Sequence, residues 1–392
     1  MKLLKRTWAD ISLDNLEHNY RTLREHVGKG PRFLGVVKAD AYGHGAVQVS
    51  RTLQALGAEY LAVSNLEEAV QLRNGGVELP VLILGYTPPE YAPDEAELHI
   101  TQEVHGLQYA KDLNKALEGT GRRLTVHLKI DTGMTRLGFF ADQPEATLAA
   151  LVEVSKLPNL YIEGVFMHFC VSDSKKPEDI AFTKLQHQRF VDMLALMKTK
   201  GIEPKIRHCC NSGATILHPE YAMDMIRPGV ATYGFHPSPD TVGEIDLRPM
   251  MSLHTSIAQI RTIAAGKSIS YGRTYTTPED KLVAVLPIGY ADGLSRLLSN
   301  RVSFRICGKE ARVLGRICMD MCMVDISDIP EAKVGTTATL FGYDEDGTLL
   351  PCERIADMLG TINYEIVCDV NKRVPRIYYK DGKQVGVLQY IV

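Results

Sequence analysis

The sequence predicts two domains of different class: an N-terminal (β/α)8 barrel of the TIM type over residues 1–237 and a C-terminal β-rich domain over residues 238–392. Three observations support this division. The first part alternates short apolar runs with stretches of helical spacing, and the second part is rich in short strands. A Pro-rich turn at residues 236–240 lies between them. A length of 392 residues also fits two or three domains at roughly 150 residues each.

The barrel is predicted from the number of strands in the first part. Apolar residues recur at helical spacing from Ile11 to Val27, and the apolar run Arg32–Val37 follows. Further strands are predicted near Tyr60–Val63, Val81–Leu84, Leu98–Thr101, Leu124–Ile130, Glu163–His168, Lys205–His208 and Met223–Ile226. Helices are predicted between them at Leu66–Asn74, Gly106–Leu117, Glu145–Ser155 and Phe182–Lys200. Eight strands alternating with helices favour a (β/α)8 barrel, although a doubly wound open sheet has the same local pattern.

The second part contains short strands with one clear helical window. The strands are predicted at Leu253–Ile263, Leu282–Pro287, Val302–Ile306, Lys309–Ile317, Cys322–Asp325 and Thr337–Phe341, and the helix at Cys352–Leu359. This texture is typical of a β-rich domain.

Composition excludes several classes of function. The 44 Lys and Arg nearly balance the 47 Asp and Glu, so the net charge of −3 provides no field to attract nucleic acid. No apolar stretch approaches the ~18 residues of a membrane span. The start of the chain breaks its apolar run at Lys5 and Arg6 and has no small-residue cleavage site, which predicts a cytoplasmic protein. The eight cysteines show no CxxC pair and are expected to be free thiols, and no metal site is predicted.

The first predicted barrel strand leads into an unusual segment, VVKADAYGHG, at residues 36–45. A lysine at the carboxyl end of a barrel strand faces the end where barrel enzymes place their active sites, and a desolvated lysine there becomes a Schiff-base nucleophile. A surface lysine is the alternative for Lys38. The density of Gly, Tyr, His and Asp around it favours a functional loop.

This segment resembles the cofactor-binding lysine segment of alanine racemases. Five further blocks resemble the same family: HLKIDTGMTRLGF at 127–139, MIRPGVATYG at 225–234, ISYGRTY at 269–275, GRICMDMCMVDI at 315–326 and TINYEI at 361–366. The resemblance therefore extends in order over nearly the whole chain. It implies a barrel followed by a β-rich domain, and pyridoxal 5′-phosphate as the cofactor.

By this resemblance, Lys38 and Tyr271 are the two catalytic bases. Lys38 is expected to hold the cofactor as an aldimine and to exchange a proton on one face of the substrate Cα, while Tyr271 acts on the other face. Tyrosine is a poor base unless its phenolate is stabilised, and His168 resembles the histidine that hydrogen-bonds to this tyrosine. Taken alone, a strand tyrosine is more often part of the core.

The resemblance also assigns residues to the cofactor. Arg227 is expected to face the pyridine nitrogen and to donate a hydrogen bond without giving up a proton, with His208 steadying it from behind. The phosphate would be held near the loops after the seventh and eighth strands. The expected phosphate contacts are Tyr42, Ser212, the backbone amides of Gly229 and Val230, and Tyr364.

The substrate carboxylate is expected to meet Arg136 and Met319, and Tyr290 is expected to narrow the entrance. Arg136 would also contact the phenolic oxygen of the cofactor. Lys129 matches a position that is a carbamylated lysine in many family members, and a carbamate there would replace repulsion from Arg136 with attraction. The family also implies a homodimer, in which Tyr271 of one subunit faces Lys38 of the other.

The sequence thus predicts a cytoplasmic, pyridoxal-phosphate-dependent isomerase that interconverts L-alanine and D-alanine and supplies D-alanine for peptidoglycan. A racemase of serine or of several amino acids is the nearest alternative, because one hydroxyl or methylene changes selectivity by only ~1–3 kcal/mol. A decarboxylase of the same two-domain plan is disfavoured by Arg227. A cofactor-carrying barrel without enzymatic activity is disfavoured by the β-rich domain and Tyr271.

Overall fold

A computed structural model describes residues 5–391. The chain divides into two compact units. The barrel unit comprises residues 17–41 and 46–248, and the β unit comprises residues 5–16, 42–45 and 249–391. Residues 1–4, which belong to the segment used above to predict a cytoplasmic location, lie outside the described residues. The domain boundary predicted at residue 237 stays a prediction.

The barrel unit contains a nearly closed parallel barrel of eight strands. The strands are, in order, Arg32–Val36, Tyr60–Val63, Val81–Ile83, Ile100–Val104, Leu124–Asp131, Leu160–Phe166, Ile206–His208 and Met225–Ile226. The eighth strand pairs in parallel with the first, so the sheet curls back on itself. The predicted barrel is therefore confirmed and the open sheet is excluded. A strand of two residues, Phe139–Phe140, pairs with the fifth strand.

Helices alternate with these strands. They are Leu13–Val27, Ala46–Leu56, Leu66–Asn74, Ala92–Glu97, Leu107–Ala116, Pro144–Ser155, Pro177–Lys198 and Ser212–Leu217, with 3-10 turns at Pro89–Tyr91, Pro219–Tyr221, Val230–Tyr233 and Pro239–Thr241. The helix Leu66–Asn74 has its predicted bounds, and the Asn65 side chain caps it by accepting from the Glu68 amide at 3.0 Å. Among the described residues, no helix is long and apolar enough to cross a membrane.

The β unit is built on one large mixed sheet. Its strands lie in the order Lys309–Arg312, Ser303–Ile306, Thr337–Tyr343, Met251–Ser256, Thr7–Ser12, Arg376–Lys380 and Lys383–Leu388, with Leu349–Leu350 beside Thr337–Tyr343. A second sheet contains Gln259–Ile263, Lys281–Leu286 and Cys322–Asp325, and Ser268–Ile269 pairs with Tyr275–Thr276. The helices are Glu353–Leu359 and Asn363–Cys368, with 3-10 turns at Tyr271–Arg273, Tyr290–Asp292 and Arg296–Leu298.

Three predicted elements show the larger differences from the structure. Ile11 lies in a strand rather than a helix, because it is fully buried and pairs with Met251 on one side and Tyr378 on the other. The single strand predicted at Leu253–Ile263 is two strands that belong to different sheets. The strand predicted to reach Ile317 ends at Arg312.

Candidate active site

The barrel places six of the predicted site residues at one end. They lie near or just beyond the carboxyl ends of five strands, the first, fifth, sixth, seventh and eighth, or in the loop after the fifth strand: Lys38, Lys129, Arg136, His168, His208 and Arg227. The carboxyl end of the strands is the end where barrel enzymes carry their active sites.

Arg227 is buried, and the acceptors that contact it are uncharged. Its Nη1 donates to His208 Nδ1 at 3.0 Å, and its Nη2 donates to the carbonyls of Met167 at 2.8 Å and Cys209 at 3.1 Å. A longer contact of 3.4 Å joins Nη2 to His168 Nδ1. Burial lowers the pKa of Arg227 to about 10, so it stays a cation at neutral pH. Within residues 5–391 it forms no ion pair with a carboxylate.

His168 is a neutral imidazole surrounded by cations. Burial lowers its pKa well below the usual value, and four cations lower it further; in order of effect they are Arg227, Lys129, Arg136 and Lys38. A guanidinium has no lone pair, so His168 Nδ1 can only accept from Arg227. The imidazole proton therefore lies on Nε2, which is available to donate.

Lys129 is buried in the fifth strand, and its ammonium lies 4.7 Å from the centre of the Phe166 ring. Burial and the neighbouring Arg227 lower the pKa of Lys129 to about 8. The neutral amine form of Lys129 is therefore more populated near neutral pH than that of an ordinary lysine, although the ammonium still predominates. A neutral amine is the form that reacts with carbon dioxide.

The loop that carries Arg136 is fixed at its start. Asp131 Oδ1 accepts from the amides of Gly133 at 2.9 Å and Thr135 at 3.1 Å. Gly138 has a φ of +128°, and a Cβ added there would meet the Asp131 amide at 2.7 Å. Arg136 itself is exposed between these two anchored points.

The residues after Lys38 form a left-handed turn that the sequence did not indicate. Ala39, Asp40, Ala41 and Tyr42 all have φ between +51° and +55°, which costs about 1 kcal/mol or more at each residue without glycine. Asp40 Oδ1 holds the turn by accepting from the Ala46 amide at 2.8 Å. Strain of this kind at a strand end is typical of a functional site.

The predicted phosphate contacts of the barrel unit lie together. Ser212 begins the helix Ser212–Leu217, and its Oγ accepts from the Ala231 amide at 3.3 Å. Ser212 thus joins the loop after the seventh strand to the 3-10 turn Val230–Tyr233, which follows Gly229. The first amides of such a turn have no acceptor inside it and are available to an anion.

The other two predicted phosphate contacts belong to the β unit. The rings of Tyr42 and Tyr364 lie 6.0 Å apart. Burial and the neighbouring Tyr364 raise the pKa of Tyr42, so its phenol stays a proton donor. A Cβ at Gly43 would meet the Val367 carbonyl at 2.4 Å. Only glycine therefore fits after Tyr42, where the chain passes close to the helix Asn363–Cys368.

Tyr271, Tyr290 and Met319 form an exposed surface on the β unit. Their relative exposures are 67%, 42% and 52%. Contacts of Cys318, the neighbour of Met319, join their segments: the amide of Tyr290 donates to the Cys318 carbonyl at 3.1 Å, and Ser270 Oγ contacts Cys318 Sγ at 3.5 Å. We call these three residues the apolar face. Exposed large apolar side chains in one place indicate an interaction surface.

Sequence reasoning missed three polar residues that support the site. Asp131 anchors the Arg136 loop, and His127 and Glu163 lie behind His208. His127 stands two residues before Lys129 on one strand, so the period-2 rule places both side chains on the same face. That pattern could have identified His127.

Comparisons with known proteins agree with this arrangement. The family model for the alanine racemase N-terminal domain matches residues 11–237, and that for the C-terminal domain matches residues 250–378. The alanine racemase of Clostridium tetani is 41% identical over 392 residues, covering all of both chains. That of Desulforamulus reducens is 44% identical over 95% of this chain and 98% of its own.

Solved structures agree as well. An alanine racemase from Clostridium difficile 630 has a TM-score of 0.95 and 38% identity, with full coverage of both chains. A histidine racemase from Leuconostoc mesenteroides has a TM-score of 0.86 and 27% identity over 96% of this chain and 98% of its own. The resemblance predicted from the sequence motifs is confirmed.

Proposed function

The chain belongs to the alanine racemase family, and we propose that it interconverts L-alanine and D-alanine with pyridoxal 5′-phosphate, using Lys38 and Tyr271 as the two bases. The observation that carries the proposal is the set of four cations around one neutral imidazole, His168, at the carboxyl end of the barrel. A dianionic phosphate cofactor and a carboxylate substrate match this excess of positive charge.

The residues fit the cofactor in detail. Lys38 would hold it, Ser212 and the Gly229 and Val230 amides would bind its phosphate, and Arg227 would face its ring nitrogen. When bound, the cofactor withdraws electrons from the amino acid Cα and so acidifies the Cα–H bond. Arg227 would donate there without losing its proton, because its pKa stays near 10. A carboxylate at this position would favour the decarboxylase reading.

Racemisation needs one group that removes a proton from Cα and one that returns a proton on the opposite face. Lys38 would serve one face and Tyr271 the other. His168 supports Tyr271 in this role, because its Nε2–H is free to donate to the phenolate oxygen while Nδ1 accepts from Arg227.

We propose further that two copies of the chain form composite sites, with Tyr271 of the partner subunit facing Lys38. The exposed apolar face supports a partner of this kind. Mixing two inactive variants, Lys38→Ala and Tyr271→Phe, tests it. Random exchange makes half of the dimers mixed, and each mixed dimer has one intact site in two, so about a quarter of wild-type activity returns. Sites contained in one chain would give no recovery.

Lys129 is proposed to carry a carbamate. Its pKa of about 8 leaves neutral amine available, and an anionic carbamate would relieve the repulsion from Arg136 and Arg227 that lowers this pKa. The modified side chain would orient Arg136 toward the substrate carboxylate.

The substrate assignment is tested with single L-amino acids. The purified protein, supplied with cofactor, is incubated with L-alanine, L-serine or L-histidine, and formation of the D-enantiomer is followed by optical rotation. Fastest turnover of alanine supports the proposal, and faster turnover of serine or histidine contradicts it. Borohydride reduction followed by peptide mapping should place the cofactor on Lys38. Location in the cytoplasm and supply of D-alanine for peptidoglycan are part of the same proposal, and a strain lacking the gene should then need D-alanine to grow.

A further inference from the structure

A chain of four polar side chains crosses the inside of the barrel. Arg227 Nη1 lies 3.0 Å from His208 Nδ1, His208 Nε2 lies 2.9 Å from His127 Nδ1, and His127 Nε2 lies 3.4 Å from Glu163 Oε2. We call these four residues the relay. It begins beyond the carboxyl end of the eighth strand and ends at a half-buried carboxylate in the sixth strand.

The relay has one possible direction while both imidazoles are neutral. Arg227 can only donate, so His208 Nδ1 accepts and the His208 proton lies on Nε2. That proton is donated to His127 Nδ1, which places the His127 proton on Nε2, where Glu163 accepts it. A second proton on either imidazole would put two N–H groups against each other in one of the gaps.

The surroundings keep both imidazoles neutral. Burial and the Arg227 charge lower the pKa of His208 well below its usual value, and His127 and Lys129 lower it further. Burial also lowers the pKa of His127, although Glu163 opposes this. Neither imidazole carries a second proton near neutral pH, as the direction of the relay requires.

Glu163 is held as an anion at the far end. Hydrogen bonds from His127 and from the Tyr60 hydroxyl, the latter at 2.8 Å, lower the pKa of Glu163, and the nearby charge of Arg32 acts in the same direction. Lys205 is a further cation near this carboxylate. A carboxylate is therefore tied to Arg227 through two neutral rings instead of touching it.

Packing fixes the planes of the two rings. Gly164 lies beside His127 in the sheet register, and a Cβ at Gly164 would lie 2.6 Å from the imidazole, so the ring occupies the space that a side chain would fill. Phe166 stacks on His208 with ring centres 4.9 Å apart and an angle of 12°. The barrel is thus shaped around the relay.

We propose that His127 and Glu163 are positioning residues for the reaction: they keep the His208 proton on Nε2, so that His208 Nδ1 accepts from Arg227 and thereby holds the Arg227 guanidinium in place and charged. The inference rests on the proposed function, because Arg227 is assigned there to the cofactor ring. It adds that Arg227, the residue assigned to the ring nitrogen, is controlled by the Glu163 carboxylate of the sixth strand, which it does not touch.

The first test is the tautomeric state of the rings. Nitrogen-15 NMR of protein labelled at the histidine imidazoles, without cofactor, should show His127 and His208 as neutral Nε2–H tautomers, with signals assigned from His127→Gln and His208→Gln variants. A wild-type His208 protonated on Nδ1, or doubly protonated at pH 7, overturns the proposal. This measurement needs no variant of Glu163 to fold.

The second test removes the terminal acceptor. Glu163→Met should lose the fixed tautomers, weaken pyridoxal-phosphate binding and lower kcat by about tenfold or more, as expected when a buried donor loses a charged acceptor. Glu163→Gln keeps an acceptor, so it should keep the tautomers and lose only about two- to fivefold. The absorbance of bound cofactor against pH should shift in the Met variant alone.

Asp224→Asn is the matched control. Asp224 is a half-exposed barrel carboxylate paired with Arg207 at 2.7 Å and is outside the relay. It should leave the tautomers, the cofactor dissociation constant and kcat unchanged. If Glu163→Met matches this control in the tautomers, the cofactor dissociation constant and kcat, the proposal is wrong. A wild-type protein that neither binds the cofactor nor racemises any amino acid would instead refute the proposed function, whatever the tautomers are.

Discussion

Glu95 is a fully buried carboxyl group, and replacing it should change how stability depends on pH. It lies in the helix Ala92–Glu97 and is 0% exposed, and neither carboxyl oxygen has a hydrogen-bond partner among the described residues. The neighbouring Thr87 hydroxyl donates to Gln102 instead, at 2.9 Å. Burial raises the pKa of Glu95 from 4.5 to about 7.

The sign and size of the effect of Glu95 on the free energy of unfolding follow from this pKa shift. The pKa is higher in the folded state than in the unfolded state, so the folded form binds the proton more tightly. The resulting stabilisation is complete below pH 4.5 and is lost as pH rises through about 7. A shift of this size corresponds to at most about 3 kcal/mol. Glu95→Gln, which cannot ionise, should escape the loss.

Thermal unfolding of both proteins at pH 4 and pH 8 measures the effect. The melting temperature of Glu95→Gln relative to wild type should rise between these pH values by several degrees, since 1 kcal/mol shifts a unit of 150–250 residues by roughly 2–4 °C. Glu97→Gln is the control, because Glu97 is on the same helix but exposed and paired with Arg122. A Glu95→Gln difference that is the same at both pH values refutes the reasoning.

Three further predictions concern the site. Lys38→Ala should lose both the absorbance of bound cofactor and all racemisation; a coloured, active variant would contradict the assignment. Native mass spectrometry should find Lys129 heavier by one carbon dioxide, lost on acidification, with more of it above pH 8 where the amine is neutral; an unmodified lysine at every pH would refute the carbamate. Gly138→Ala should raise KM and cost about 1–3 kcal/mol, because its φ is +128° and its Cβ meets Asp131. Gly121→Ala, with positive φ but open space around it, should leave KM unchanged.

The sequence predicted the barrel well because its strands are short apolar runs with clear turn signals between them. The strand Tyr60–Val63 and the helix Leu66–Asn74 have their predicted bounds. The strand Thr7–Ser12 was not predicted from the sequence. Its partners Met251–Ser256 and Arg376–Lys380 are distant in the chain, and no local sequence pattern indicates that pairing. The final hairpin was missed although Asp381-Gly382 is a strong turn signal, with both residues at positive φ.

The site residues were predicted from sequence motifs. Motifs did not reveal the features that depend on tertiary contacts. Lys38, His168 and Arg227 lie at strand ends as expected, which follows from strand assignment alone. The left-handed turn after Lys38 could not be predicted, because alanine and tyrosine have no local preference for that conformation and tertiary contacts impose it. Glu163 was missed because its partnership with His127 depends on the register between two strands.

The position of Thr7–Ser12 has a consequence for synthesis of the protein. This strand leaves the ribosome before the barrel is made, while Met251 follows it only after most of the barrel has been made. At the usual ~5–20 residues per second, it waits roughly 12–50 s for its first partner. During that time this strand, whose residues Trp8 and Ile11 are buried in the folded protein, has two unpaired edges. Nascent chains of this protein are therefore expected to depend on chaperones that cover this strand. Separately expressed halves cut near residue 237 would leave an interior strand of the β sheet on the wrong fragment.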